Sequence, residues 1–213
     1  GKMSFTSQVK LELAGQTQQS YCCVTAELGA FILGASVMTL SQHRHISLGF
    51  RTENATVLRR ALWLFNKSGK AAARPRLLLR ERMAGRRQYI LQLSSEDSHR
   101  LLRDQGMLRL DEAGEERFSA PQRVMRRNCC RRAYVRGAFL ACGYIADPRR
   151  RYHAEWVYQD RARALRLKRV LAQTGLAATL SARRGNVLVV IKGGDQVAEL
   201  LKLMGAARAL FSL

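Results

Sequence analysis

The chain repeats itself at a fixed spacing, and few folds accommodate that. Cys22-Cys23 opens one apolar stretch, and Cys129-Cys130 opens another 107 residues later. The ungapped register pairs Ala26 with Ala133, Leu28 with Val135, Ala30 with Gly137 and Leu33 with Leu140. It runs on to pair Phe50 with Val157 and Glu53 with Asp160, then drifts, and the second copy ends up shorter by about nine residues.

Each copy reads as the same order of elements. A helix is expected over 22–36 and again over 122–143, where Pro121 suits a helix start. A short hairpin follows, 37–40 with 46–52 and 144–147 with 152–158. Amphipathic helices come next, over 54–67 and 160–174. Leu58, Leu62 and Phe65 share one face in the first, and Leu167, Val170 and Leu171 do so in the second. A second hairpin (73–82 with 87–93, and 177–182 with 187–191) leads to a closing helix over 95–103 and 195–204. The fold class is therefore α+β: two αββαββα units in tandem, related by a pseudo-twofold, each needing the other to bury its apolar faces. An N-terminal helix or arm occupies 1–14, the first half 15–110, a polar linker 111–120 and the second half 121–213.

Hydrophobic residues make up 47% of the chain, enough for a globular core. The net charge is +21, from 37 Lys and Arg against 16 Asp and Glu. Self-repulsion of that size is best understood if the partner is a polyanion. Arg dominates, and its planar fork grips phosphate and stacks on bases better than Lys does. Arg-rich codon usage or an acidic protein partner would leave the same composition. No apolar run reaches the roughly 18 residues of a membrane span, and the five cysteines read as reduced thiols. The expected location is the cytoplasm, at the nucleoid.

The repeated helices carry small residues at four-residue spacing: Ala26, Ala30 and Gly34 in one, Ala133, Gly137 and Ala141 in the other. Each row lies on one helical face, and close crossing of the two helices explains why interior glycine is tolerated. Val135-Arg136-Gly137-Ala138-Phe139-Leu140-Ala141-Cys142-Gly143 resembles a degenerate LAGLIDADG motif of homing endonucleases, with residues 28–36 as its weaker copy. That resemblance implies two αββαββα units joined through these helices, with hairpins forming a saddle over duplex DNA. Met3 to Lys10, Cys22-Cys23, Asn128 to Leu140 and Leu203-Met204-Gly205-Ala206 are together similar to the WhiA family of bacterial sporulation and cell-division transcription regulators. The family resemblance further implies a helix-turn-helix domain beyond Leu213.

LAGLIDADG nucleases hold Mg²⁺ with an acid at the end of each motif helix. Here those positions are Ala35 and Cys142, neither of which offers the oxygen ligand the ion needs. Asp147 is the nearest carboxylate in the second copy. No catalytic residue, cofactor or metal is expected, and the chain is not expected to be an enzyme. The two Cys-Cys pairs would make a Cys₄ zinc site if symmetry brought both helix starts together. Adjacent cysteines are a poor chelating spacing, however, and neighbours on a helix point about 100° apart. One cysteine of each pair is expected in the core, with the other packing or idle. His43 and His45 are expected to face solvent or phosphate rather than a metal, and Gly193-Gly194 is a turn, not a phosphate loop.

Strand alternation gives Arg74, Arg76, Arg80 and Arg82 one parity, with Leu78 among them. Arg44 and Arg51 in the first half, and Arg149, Arg150, Arg151, Arg183, Arg184 and Lys192 in the second, fall on matching hairpins. These are the expected contacts to double-stranded DNA, bound weakly and without sequence preference, though a merely solvated face has the same composition. Arg123, Arg127 and Arg131 form a second candidate stripe at helical spacing. The alternative is a protein-interaction module docking other transcription or cell-division proteins, with DNA read by the helix-turn-helix alone.

Overall fold

The computed structural model describes residues 3–17, 19–40, 45–68, 75–82 and 85–213. By contact the chain divides into two compact units, one formed by Ala35–Arg123 and the other by Gly1–Gly34 together with Val124–Leu213.

In the first unit, strands β1 (Ser36–Leu40), β2 (Ile46–Thr52), β3 (Arg76–Arg82) and β4 (Arg86–Gln92) form an antiparallel sheet in the order β1-β2-β4-β3. Helices α3 (Ala55–Lys67) and α4 (Ser95–Asp104) pack on β2. Side-chain caps set where they begin. Asn54 accepts from the amides of Thr56 and Val57, and Ser94 accepts from that of Asp97. Phe50 meets Phe65 edge-on, ring centroids 5.4 Å apart, and the Leu48 amide donates to the buried Ser98 hydroxyl. The stretch expected as a linker is mostly the turn and second strand of a small hairpin, β5 (Leu108–Leu110) and β6 (Glu116–Phe118). The Asp111 carboxylate accepts from the amides of Ala113 and Glu115 and so closes that turn.

The second unit contains helices α1 (Phe5–Ala14), α2 (Tyr21–Ala35), α5 (Asn128–Cys142), α6 (Arg161–Gln173), α7 (Gly194–Met204) and α8 (Ala207–Leu210). Its strands β7 (Gly143–Ile145), β8 (His153–Tyr158), β9 (Thr179–Arg183) and β10 (Asn186–Lys192) are antiparallel in the order β7-β8-β10-β9, matching the first sheet strand for strand. Trp156 packs edge-on against Phe139 at 6.2 Å. Helix α1 is bolted at both ends. Thr6 bonds the carbonyl and amide of Ile145 at the edge of β7, and Glu12 accepts from the amides of Arg208 and Ala209 at the start of α8. Among the described residues, no helix is long and apolar enough to cross a membrane.

Two local expectations are corrected. The helix expected from residue 122 begins only at Asn128, with Arg127 as its extended N-cap. Arg123, Arg126 and Arg127 would otherwise crowd the positive end of the helix dipole, where acids rather than bases are favoured. Arg123, Arg127 and Arg131 are therefore not a row on one helix. The uniform 107-residue offset also slips in the hairpin. Ser36 pairs with Phe50, whereas Gly143 pairs with Trp156, so Phe50 corresponds to Trp156 rather than Val157. A one-residue slip turns a strand's side chains over, and it is Trp156, not Val157, that enters the core.

Helices α2 and α5 approach closely at Gly34 and at Gly137. A Cβ on Gly34 would lie 2.7 Å from the Ala141 Cβ and 3.0 Å from the Cys142 sulfur. A Cβ on Gly137 would fall onto the Glu27 carbonyl oxygen, a backbone atom that cannot swing aside. Gly137→Ala should therefore destabilise by about 1–3 kcal/mol, and Gly34→Ala by less, because its overlap with the Ala141 Cβ is smaller. Urea unfolding should show the order of midpoints parent, Gly34→Ala, Gly137→Ala at an unchanged slope. A Gly137→Ala midpoint equal to the parent's would contradict the close crossing.

Candidate nucleic-acid interface

Helix α2 carries a single charged residue, Glu27, and it is fully buried. Its carboxylate pairs with Arg136 of α5, also buried, which bonds the Gln16 amide oxygen at 2.9 Å through its other arm. This pair was not anticipated from the sequence. The available signal was a lone acid within an otherwise apolar helix, since an acid is rarely buried without a partner. Arg163 of α6 is buried too, and donates to the Leu33 carbonyl near the end of α2 while pairing with Asp160.

The ends of the paired helices offer no metal-binding acid. Ala35 closes α2. The Cys142 thiol donates to the Ala138 carbonyl, and burial pushes it up to about 12, so it stays protonated. Burial lowers nearby Lys10 to about 8, with the Phe139 ring 5.8 Å away. Asp147 sits in the turn after β7, gripped by both arms of Arg149 at 3.0 and 2.6 Å. The hydrogen bonds from Arg149 hold its carboxyl down at about 2.

In the Ala35–Arg123 unit, strand register places Arg51 beside Ile90, and Ile90 beside Leu78. Arg76 and Arg80 lie two residues either side of Leu78, so all three arginines share one face. Phe50, of opposite parity, packs on α3; the arginines thus lie on the sheet face opposite α3. Arg51, Arg76 and Arg80 are exposed and have no carboxylate partner among the described residues. Arg44 and Arg74 lie outside the described residues.

The other unit's basic residues are less uniform. Arg183 pairs with Glu155 at 2.7 Å, and Glu155 also bonds His153 at 2.9 Å. Burial would raise that carboxyl, but His153 and Arg183 outweigh it and leave it lowered. Arg149 is engaged by Asp147, as described. Arg150, Arg151, Arg184 and Lys192 are exposed and make no ion pair among the described residues.

Of the first cysteine pair Cys23 is buried and Cys22 half-buried, as expected; of the second, Cys130 is half-buried and Cys129 exposed, so neither of these two is in the core. The sulfurs of Cys22, Cys23, Cys129 and Cys130 all lie within 4.8 Å of one another, where the first turns of α2 and α5 meet. The Ser20 hydroxyl is 3.1 Å from the Cys22 sulfur and 3.3 Å from that of Cys23, and Arg127 reaches Cys22 at 3.7 Å. Hydrogen bonding, from Ser20 foremost, brings the Cys22 thiol down to about 6, while burial pushes Cys130 up to about 12.

Two sheets of identical strand order and a tightly crossed helix pair, lacking acids at their ends, define a LAGLIDADG-like scaffold of the homing-endonuclease type. The description "WhiA LAGLIDADG-like domain" matches residues 131–213. The probable cell division protein WhiA of Alkaliphilus metalliredigens is 33% identical over 213 residues, covering 99% of this chain and 67% of that protein. The chain belongs to the WhiA family, and it spans about two thirds of the length of the curated relatives it matches. Full-length DUF199/WhiA from Thermatoga maritima superposes with a TM-score of 0.71 at 18% identity, over 98% of this chain and 64% of that one. The homing endonuclease I-DmoI, solved in complex with DNA and Ca, gives a TM-score of 0.55 at 10% identity, over 87% and 91% of the two chains. At these identities the structural likenesses establish the fold.

Removing one member of a buried ion pair strands the other. Arg136→Met should cost about 3–5 kcal/mol, and adding Glu27→Gln should recover part of that loss by removing the stranded charge. A double-mutant cycle read by urea unfolding measures the coupling. Additive effects of the two changes would show that the pair does not act as a unit.

Proposed function

We propose that the chain is a DNA-associated transcription regulator of cell division and sporulation, working at the nucleoid on a homing-endonuclease scaffold that has lost cleavage. The arginine face of the β1–β4 sheet, opposite α3, carries this reading. Arg51, Arg76 and Arg80 stand there without carboxylate partners among the described residues, in a chain of net charge +21. Arg150, Arg151, Arg184 and Lys192 are the further candidates in the other unit. The name of the curated relatives supports the cell-division role, and the DNA complex of I-DmoI supports the ligand class.

Such contacts grip the backbone rather than read bases, and nonspecific complexes have dissociation constants of about 10⁻⁴–10⁻⁶ M at physiological salt. Promoter selection is assigned to the helix-turn-helix that the family resemblance implies, through base contacts in the major groove. Held on one chain, the two modules raise each other's effective concentration at the site. A protein-docking role is the second reading. It is favoured by Leu77, Leu78 and Leu79, each 45–55% exposed on the edge strand β3.

With Ala35 and Cys142 in place of acids, plasmid incubated with the protein and Mg²⁺ or Mn²⁺ should remain uncut. Specific cleavage abolished by Asp147→Asn would show that a metal site survives.

Duplex DNA titrated at two salt concentrations tests the binding face. Log affinity should fall with log salt by roughly 0.9 per phosphate contact, and Arg51→Ala/Arg76→Ala/Arg80→Ala should flatten that slope by up to about three contacts' worth. The loss should be equal on all sequences. A triple variant with the parent's affinity and slope would remove this face from the DNA surface. The docking reading would then stand.

A further inference from the structure

We propose that Cys22, Cys23, Cys129 and Cys130 bind one zinc ion as a tetrathiolate that clasps the first turns of α2 and α5. The inference goes beyond the DNA reading and does not rest on it. Four sulfurs at about 2.3 Å around a tetrahedral zinc stand roughly 3.8 Å apart. The four sulfurs here already lie within 4.8 Å of one another. Rotation about the Cα–Cβ bonds can close a difference of that size without moving backbone. Adjacent cysteines chelate poorly when a single helix must supply every ligand. Here two helices supply two each, and the ion sits where their starts converge.

The chemistry of the cluster selects the metal. Four thiolates favour zinc over hard cations such as Mg²⁺ or Ca²⁺. Four protein ligands leave no open position, which marks a structural site rather than a catalytic one. A zinc tetrathiolate carries a net charge of −2, and its surroundings answer that charge. Helix N-termini lower the cost of thiolates placed there. Arg127 lies 3.7 Å from the Cys22 sulfur, and Ser20 is placed to hydrogen-bond two of the ligands and fix their rotamers. Cys23 is buried while Cys129 is exposed, so one side of the cluster is closed and the other gives the ion a way in. On binding, each thiol still protonated releases its proton to solvent, and nothing is oxidised or reduced.

Cobalt(II) titrated into the reduced protein is the probe, because a tetrahedral cobalt thiolate shows intense visible bands and a thiolate charge-transfer band. Both should grow to saturation at one equivalent and be bleached by one equivalent of zinc. Cys129→Ser changes an exposed residue and should still fold, yet lose the full-intensity bands. Cys142→Ser, altering the fifth cysteine, should keep them. Zinc should raise the thermal midpoint of the parent but not of Cys129→Ser. Five titratable thiols with no cobalt thiolate band would overturn the proposal. So would pairing of these cysteines as disulfides in preference to holding metal, or bands lost in Cys142→Ser and retained in Cys129→Ser.

Discussion

The Glu27–Arg136 pair at the crossing of α2 and α5 is the constraint to which the second unit is fitted. Two charges withdrawn from water carry a desolvation penalty of several kcal/mol each, and good geometry must offset it. The geometry is supplied by closeness. Gly137 lets the α5 backbone reach the Glu27 carbonyl, and that approach sets Arg136 against the carboxylate. Gln16 and the Met204 carbonyl complete the guanidinium's bonds, tying the chain before α2 and the end of α7 to the same point. A crossing with a larger residue at either glycine would hold the helices further apart and leave the pair in a gap. Packing and charge pairing are one feature here, and neither is satisfied without the other.

Most of the architecture could be read from the repeat. Element order and the shared face of Arg76 and Arg80 rest on local rules of period and parity. What escaped was set by contacts distant in sequence or by small local costs. The slip that makes Trp156 the counterpart of Phe50 is a matter of strand pairing, and an ungapped comparison cannot register it. The late start of α5 fits the three arginines within what would have been its first two turns, a penalty the apolar pattern does not show. The site was less legible than the fold. That Arg149 and Arg183 are engaged by Asp147 and Glu155, while Arg51, Arg76 and Arg80 have no acid partner among the described residues, depends on which side chains turns and pleats bring together.

The cysteines show the limit of spacing rules. Ligand spacing along one chain segment is informative when that segment makes the whole site. In this chain the relevant distance is between two segments more than a hundred residues apart, and the repeat was the only sign that they converge.

The grouping of residues 1–34 with residues 124–213 also has a consequence for synthesis. Helix α2 leaves the ribosome well before α5, bearing Val24, Leu28, Phe31, Ile32 and Leu33 that are buried in the finished protein. Its partner α5 is encoded about a hundred codons later, a wait on the order of ten seconds at ~5–20 residues per second. The intervening Ala35–Arg123 unit is contiguous in sequence and is synthesised during that interval. Until then the apolar face of α2 is uncovered and open to aggregation or to a chaperone. The order of translation, and not only the final contacts, therefore bears on how this chain reaches its native state.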